Sequence, residues 1–272
     1  MKKIIVFLFM SHFVFVQNAE LFAQKKDSCK VEPGASVEFV SRYMWRGMAL
    51  SDKPNIQPSV FMTYKNLEAG FWGSFAFDGS YDEVDFYASY SFYNFSVVFN
   101  DYYTAKPVPE WIDNRYFYFN DKNDLACDST ASFFNEKNTS HCFEGMLMYE
   151  GKEKFPVKIQ AGICFFGNDK ISTDTIFNSN SQSNSHSLMF DNNYSVYAEI
   201  SYPFEKNKYT LEPFLGFTPR EGMYGVEAGV VNAGIKFEKK VTLCNILEIP
   251  LKAGISVNPQ TQQVFLFAGF KL

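Results

Sequence analysis

The side chains in this chain that could do chemistry are scattered, and their spacing is that of strands. Charged residues recur at alternate positions among small or polar neighbours. Glu38, Arg42 and Arg46 share one alternation, Glu68 and Asp85 sit in the next segments, Lys158, Glu199 and Glu212 follow, and Glu248 and Lys252 come last. Apolar residues fill the positions between them. Side chains alternate faces along a strand, so this pattern puts charge on one face and hydrocarbon on the other. On a ring of strands, the charged face would line a lumen and set which solutes pass. The plainer alternative is that Arg42 and Arg46 pair with neighbouring carboxylates and plug the centre.

Catalytic chemistry is poorly supplied. Beyond residue 23 the histidines are His141 and His186. Ser140 and His141 are adjacent, so in a strand they point to opposite faces and cannot act as a dyad. His186 lies in a Ser/Asn-rich stretch. There is no Gly-x-Ser-x-Gly, no His-Glu-x-x-His and no glycine-rich phosphate loop. An enzyme is not expected, and no cofactor is implied. Asp78, Asp82, Glu83 and Asp85 could be considered for Ca²⁺, but they read as solvated loop acids, and no metal site is expected. The cysteines at 29, 127, 142, 164 and 244 are odd in number and lack Cys-x-x-Cys spacing, which also argues against a metal. Cys127 and Cys142 flank a long polar segment and could form a disulfide in an oxidising compartment; two free thiols are an equally open reading.

The elements that must position these residues begin with an export signal. Lys2 and Lys3 precede an apolar run from Ile4 to Val16, and Leu21-Phe22-Ala23 offers a cleavage site. Residues 1–23 therefore read as a signal peptide, followed by a short periplasmic segment over 24–34 and a main domain over 35–272. The net charge is −5, and cleavage makes it more negative. That argues against nucleic acid as a partner, since phosphate binding wants a basic surface. Aromatic residues are abundant, with 31 Phe and 16 Tyr. They suit strands and the aromatic girdles of membrane barrels.

Period-2 reading gives about 12 strands. The first is expected to run through "VEFVSRYMWRG", with Val37, Phe39, Ser41, Tyr43 and Trp45 on its apolar face. The last is the C-terminal "VFLFAGFKL". Short turns are expected near Asn66, Asn94, Gly151–Lys154, Glu205–Lys208 and Glu238–Lys240. Longer segments separate the other strands, including roughly 105–140 and the stretch around 170–190. Alternation of short turns with long loops is the asymmetry of outer-membrane barrels. The expected fold is all-β: a closed antiparallel transmembrane barrel with short periplasmic turns and longer external loops. A secreted soluble β-sandwich is the competing fold.

The segment "VSRYMWRGMALSDKPNIQPSV" resembles the opening of the TorF-type porin family of Bacteroidetes-like outer-membrane β-barrels. The likeness is carried by Ser41-Arg42-Tyr43, Trp45-Arg46-Gly47, Ser51 and Ile56-Gln57-Pro58-Ser59, with echoes at Glu83, Asp85, Asp101 and Tyr102. The resemblance implies a bacterial outer-membrane barrel of porin type. Its partners would be outer-membrane lipid, the barrel-assembly machinery during biogenesis, and a small polar solute. The alternative role is a plugged barrel acting as a surface adhesion or receptor module through its long loops.

Overall fold

The computed structural model describes residues 30–104, 139–173, 189–243 and 247–272. The expected signal peptide, most of the 105–140 segment, Cys127 and His186 lie outside them. Every element among the described residues is a strand. In chain order these are β1 (Glu32–Val40), β2 (Tyr43–Trp45), β3 (Met48–Ser51), β4 (Asn55–Tyr64), β5 (Leu67–Ala76), β6 (Asp82–Phe92), β7 (Phe95–Thr104), β8 (His141–Glu150) and β9 (Lys158–Gly167). There follow β10 (Lys170–Thr173), β11 (Met189–Asn192), β12 (Val196–Ser201), β13 (Phe204–Lys206), β14 (Tyr209–Thr218), β15 (Gly229–Leu243), β16 (Leu247–Asn258) and β17 (Gln263–Lys271).

These strands close a 12-strand antiparallel barrel. The wall runs β1, β4 to β9, β12 with its short continuation β13, and then β14 to β17, which returns to β1. The seam is made by Glu38 opposite Lys271 and by reciprocal backbone bonds between Val37 and Leu272 at 3.0 and 2.8 Å. A ring without edges rules out the two-sheet sandwich, and the pairing of β17 with β1 is what closes the cylinder.

The alternation sorts the two faces as the sequence pattern requires. Val60, Met62, Phe71, Phe86, Leu147 and Ile255 are exposed on the outside of the wall. Gln57, Glu68, Ser74, Ser89, Glu144 and Gln160 are buried inside it. This inverts a soluble protein, whose exposed strand faces are polar. Aromatic rings cluster near both rims. At the end carrying the tight turns, Tyr90, Phe92, Phe95 and Tyr149 form a chain of ring contacts with centroids 6.4, 5.9 and 5.1 Å apart. At the other end, Phe143 touches Phe99 and Phe166 at 5.5 and 4.8 Å. The turns between β4 and β5, β6 and β7, and β13 and β14 each place one residue at positive φ: Lys65, Tyr93 and Asn207. Such backbone suits tight hairpins, whose twist matches that of the strands.

Three expectations need correction. The first strand stops at Val40 instead of running to Gly47. Residues 41–54 leave the wall and turn inward, so Tyr43 and Trp45 are buried inside the barrel and not on its apolar outer face. No turn forms at Glu238–Lys240: these residues pair with Lys252, Leu251 and Pro250 as β15 continues to Leu243. The wall also begins at Glu32, a little before the expected domain boundary.

Candidate functional site

The site is the barrel interior, and its centrepiece is the inward hairpin of β2 and β3. Its turn is Arg46-Gly47, with φ of 48° and 84°. Two consecutive positive φ values are what a two-residue type I′ turn demands. Gly47 is required for a second reason: a Cβ there would lie 1.9 Å from the carbonyl oxygen of Val231 on the far wall. The tip therefore crosses the lumen and meets β15. It is also held by Asn258 of β16, whose amide donates to the Gly47 carbonyl at 3.2 Å.

Arg46 is the latch. Its guanidinium donates to both oxygens of Glu144 on β8, at 2.6 and 2.8 Å, and to the Tyr224 hydroxyl. Both side chains of the ion pair are fully buried. The rings of Trp45, Tyr197 and Tyr224 lie 4.9, 4.8 and 5.0 Å from the guanidinium carbon. Burial by itself would depress the Arg46 pKa; Glu144, with smaller contributions from Tyr224 and Tyr102, raises it above the ordinary arginine value, so the group stays charged. Tyr102 also donates to Glu144 at 2.7 Å. Gly162 on β9 leaves the space that Glu144 fills, since a Cβ there would sit 2.5 Å from its carboxylate.

Around the latch the loop half of the lumen is a packed core. Tyr43, Trp45, Met48, Leu50, Tyr81, Tyr197, Met223, Tyr224 and Val231 belong to one buried cluster. Met223 and Tyr224 come from the segment joining β14 to β15. That segment is tied down by Ser195, whose hydroxyl accepts from the Met223 N–H at 2.7 Å and donates to Asp169 at 2.6 Å. Gln260 accepts from the Val226 N–H at 2.8 Å. Burial, then the neighbouring Glu83, pushes the Tyr43 and Tyr81 phenols well up, which keeps them protonated donors.

Below the hairpin the lumen is charged and less filled. A cavity of about 110 Å³ lies between the hairpin and the β12–β17 wall. Lys252 donates to both oxygens of Glu38 at 3.0 Å. Lys158 donates to Glu212 at 3.2 Å, and Ser201 donates to the other Glu212 oxygen at 2.7 Å. Lys236 lies 4.0 Å from Glu199.

The residues singled out in the sequence fall into three groups. Glu38, Glu68, Asp85, Lys158, Glu199, Glu212 and Lys252 point inward from wall strands, in agreement with the alternation. Arg42 and Arg46 leave the wall with the hairpin: Arg46 is the buried latch, whereas Arg42 pairs with Asp52 at 2.8 Å near the hairpin base. Glu248 is exposed at the turn end, where Lys208 reaches it at 3.3 Å. Glu83 and Asp85 are buried inner-wall residues, not solvated loop acids; Tyr81 donates to Glu83 at 2.6 Å. Asp78 does fit the solvated reading and is bound by Ser80 at 2.6 Å. Cys142 is a free, buried thiol. His141 lies on the outer wall near the rim, 2.8 Å from Asp101.

Glu144, Tyr197 and Tyr224 were missed by sequence reasoning. The sequence held partial signals for the turn and its acid and none for the two tyrosines. Gly47 can supply one of the positive φ values that a two-residue hairpin turn needs, and an arginine buried at such a turn needs a carboxylate. Glu144 itself is singled out only by the folded register, which sets it opposite Cys164 and places Gly162, the partner of Met146, on the diagonal. No protein-family model matches the chain, and no curated protein matches it.

Proposed function

We propose that this chain is a bacterial outer-membrane β-barrel of the TorF-type porin class, working as a narrow channel for small polar solutes that the 41–54 hairpin holds shut at the loop end. The observation that carries the proposal is the inside-out wall: an apolar, aromatic-rimmed exterior around a charged interior. Only helices and closed barrels satisfy their backbone in a bilayer, and charges facing lipid near the midplane would cost about 2–4 kcal/mol each for basic residues. The export-type N-terminus and the resemblance of residues 40–60 to TorF-type porins support the same reading. A barrel of this strand number encloses a lumen between the filled small barrels and the open porins, so a single hairpin suffices to block it. The C-terminal strand is the segment the barrel-assembly machinery would read.

Liposome swelling in small neutral sugars tests the channel. The wild-type protein should admit solute slowly, and Glu144→Gln, which loosens the latch, should admit it faster. The tightness of the hairpin favours one second reading, a permanently plugged scaffold presenting its long loops to a surface partner. Equal, negligible swelling by both folded proteins would favour that reading over the channel.

A further inference from the structure

Cys142 and Cys164 have no role in the channel proposal, yet they are placed as a pair. They lie on neighbouring strands β8 and β9, and both face the lumen. The register sets Glu144 opposite Cys164 and Cys142 opposite Gly167, with an irregularity between Phe143 and Glu144. Both are almost wholly buried in the same core cluster. An ordinary diagonal across a ladder spans about 7–8 Å between Cα atoms, slightly beyond the usual disulfide range of about 4.4–6.8 Å. The irregularity falls between the two positions and shifts the register by one residue, and the two thiols are close enough to interact. Cys164 also lies 3.7 Å from the Tyr224 hydroxyl. Cys142 lines a small cavity of about 40 Å³ with Trp45, Tyr81 and Met223. Cys164 is the cross-strand partner of Glu144, the carboxylate that receives Arg46, and Cys142 lies two residues before Glu144 on β8.

We propose that Cys142 and Cys164 form a disulfide across β8 and β9, a modification site that staples β8, the strand that carries the latch carboxylate Glu144, to its neighbour. This pairing replaces the Cys127–Cys142 bridge suggested by sequence spacing, and it stands independently of the channel proposal. The oxidant is a small disulfide such as oxidised glutathione. The Cys142 thiolate attacks one sulfur and expels one reduced glutathione. The Cys164 thiolate then attacks Cys142 Sγ and expels the second. Two protein thiols lose two hydrogens, the glutathione disulfide gains them, and no other reactant is needed.

The test uses the whole mature protein. It is refolded from urea into detergent in a mixture of oxidised and reduced glutathione, so that exchange samples every cysteine. The heat-modifiable, folded band is then alkylated, digested with trypsin without reductant and mapped. Cys127, Cys142 and Cys164 fall on separate tryptic peptides: Asn123–Lys137, Asn138–Lys152 and Ile159–Lys170. The expected result is a linked pair of Asn138–Lys152 with Ile159–Lys170, enriched over protein kept unfolded in the same mixture. Alkylated or glutathionylated Cys142 and Cys164 in the folded band, or a link from Cys142 to Cys127, would overturn the proposal.

Discussion

Replacing Glu144 by Gln keeps the side-chain shape and removes the charge that holds Arg46. Glu144 accepts both Arg46 nitrogens, at 2.6 and 2.8 Å, and the Tyr102 hydroxyl at 2.7 Å, with no exposed side-chain surface. Leaving a buried charge without its partner costs about 3–5 kcal/mol. The three ring faces around the guanidinium remain at 4.8–5.0 Å. They stabilise a desolvated cation by about 0.5–2 kcal/mol, so the low end, about 3 kcal/mol, is the reasonable figure. Because the barrel wall does not depend on this contact, the loss should appear as local opening of the hairpin. About 3 kcal/mol is roughly a 10²-fold change in an opening equilibrium. Hydrogen exchange on folded, detergent-solubilised protein would read it. Amides over Tyr43–Ser51 should exchange about 10²-fold faster, while those of β5 and β6 keep their wild-type rates. Unchanged protection of the hairpin would refute the latch. Equal loss of protection across the wall would show that Glu144 supports the barrel and not the hairpin.

Other substitutions probe the same architecture. Arg46→Lys keeps the charge but loses the planar two-pronged donor, so hairpin exchange should fall between wild type and Glu144→Gln; full wild-type protection would mean that charge alone suffices. Gly47→Ala combines positive φ with a clash against Val231, and should loosen the hairpin by about 1–3 kcal/mol, read by protease cleavage within 43–51 in an otherwise intact barrel. At the seam, Phe270 stacks on Phe39 at 5.0 Å. Phe270→Lys should therefore lower the yield of heat-modifiable protein, whereas Leu272→Phe should leave it unchanged; normal assembly of the lysine variant would contradict the closure described here.

Much of the wall was legible because its physics is local. Alternation separates Val60 and Met62 from Gln57 and Ser59 wherever one face meets hydrocarbon and the other does not. Loop parity follows from the need to return to the same rim. The hairpin was not legible for the converse reason. Ser41 to Trp45 continue the period of β1 almost without a break, and alternation cannot distinguish a strand facing out from a segment folded in. Only partners far along the chain decide that: Glu144, Tyr224 and Val231 are brought to Arg46 and Gly47 by barrel closure. The same limit applies to Cys142: the other thiol among the described residues, Cys164, is brought beside it by the β8–β9 register and not by sequence spacing. The turn expected at Glu238–Lys240 failed because charged residues at a strand end resemble a turn, although they also suit a strand leaving the apolar zone.

In the proposed channel the hairpin, and not the wall, closes the lumen. Val40 and Asn55 are direct cross-strand partners, so residues 41–54 can be replaced by a short Asn-Gly-type turn without moving β1 or β4. The measurement is single-channel conductance of that hairpin-less barrel in a planar bilayer, beside the wild type, after both are shown to be folded by heat-modifiable migration. A steady open conductance in the hairpin-less barrel, with only rare and brief openings in the wild type, is the predicted result. A folded hairpin-less barrel that passes no current would overturn the hairpin's role as the closure.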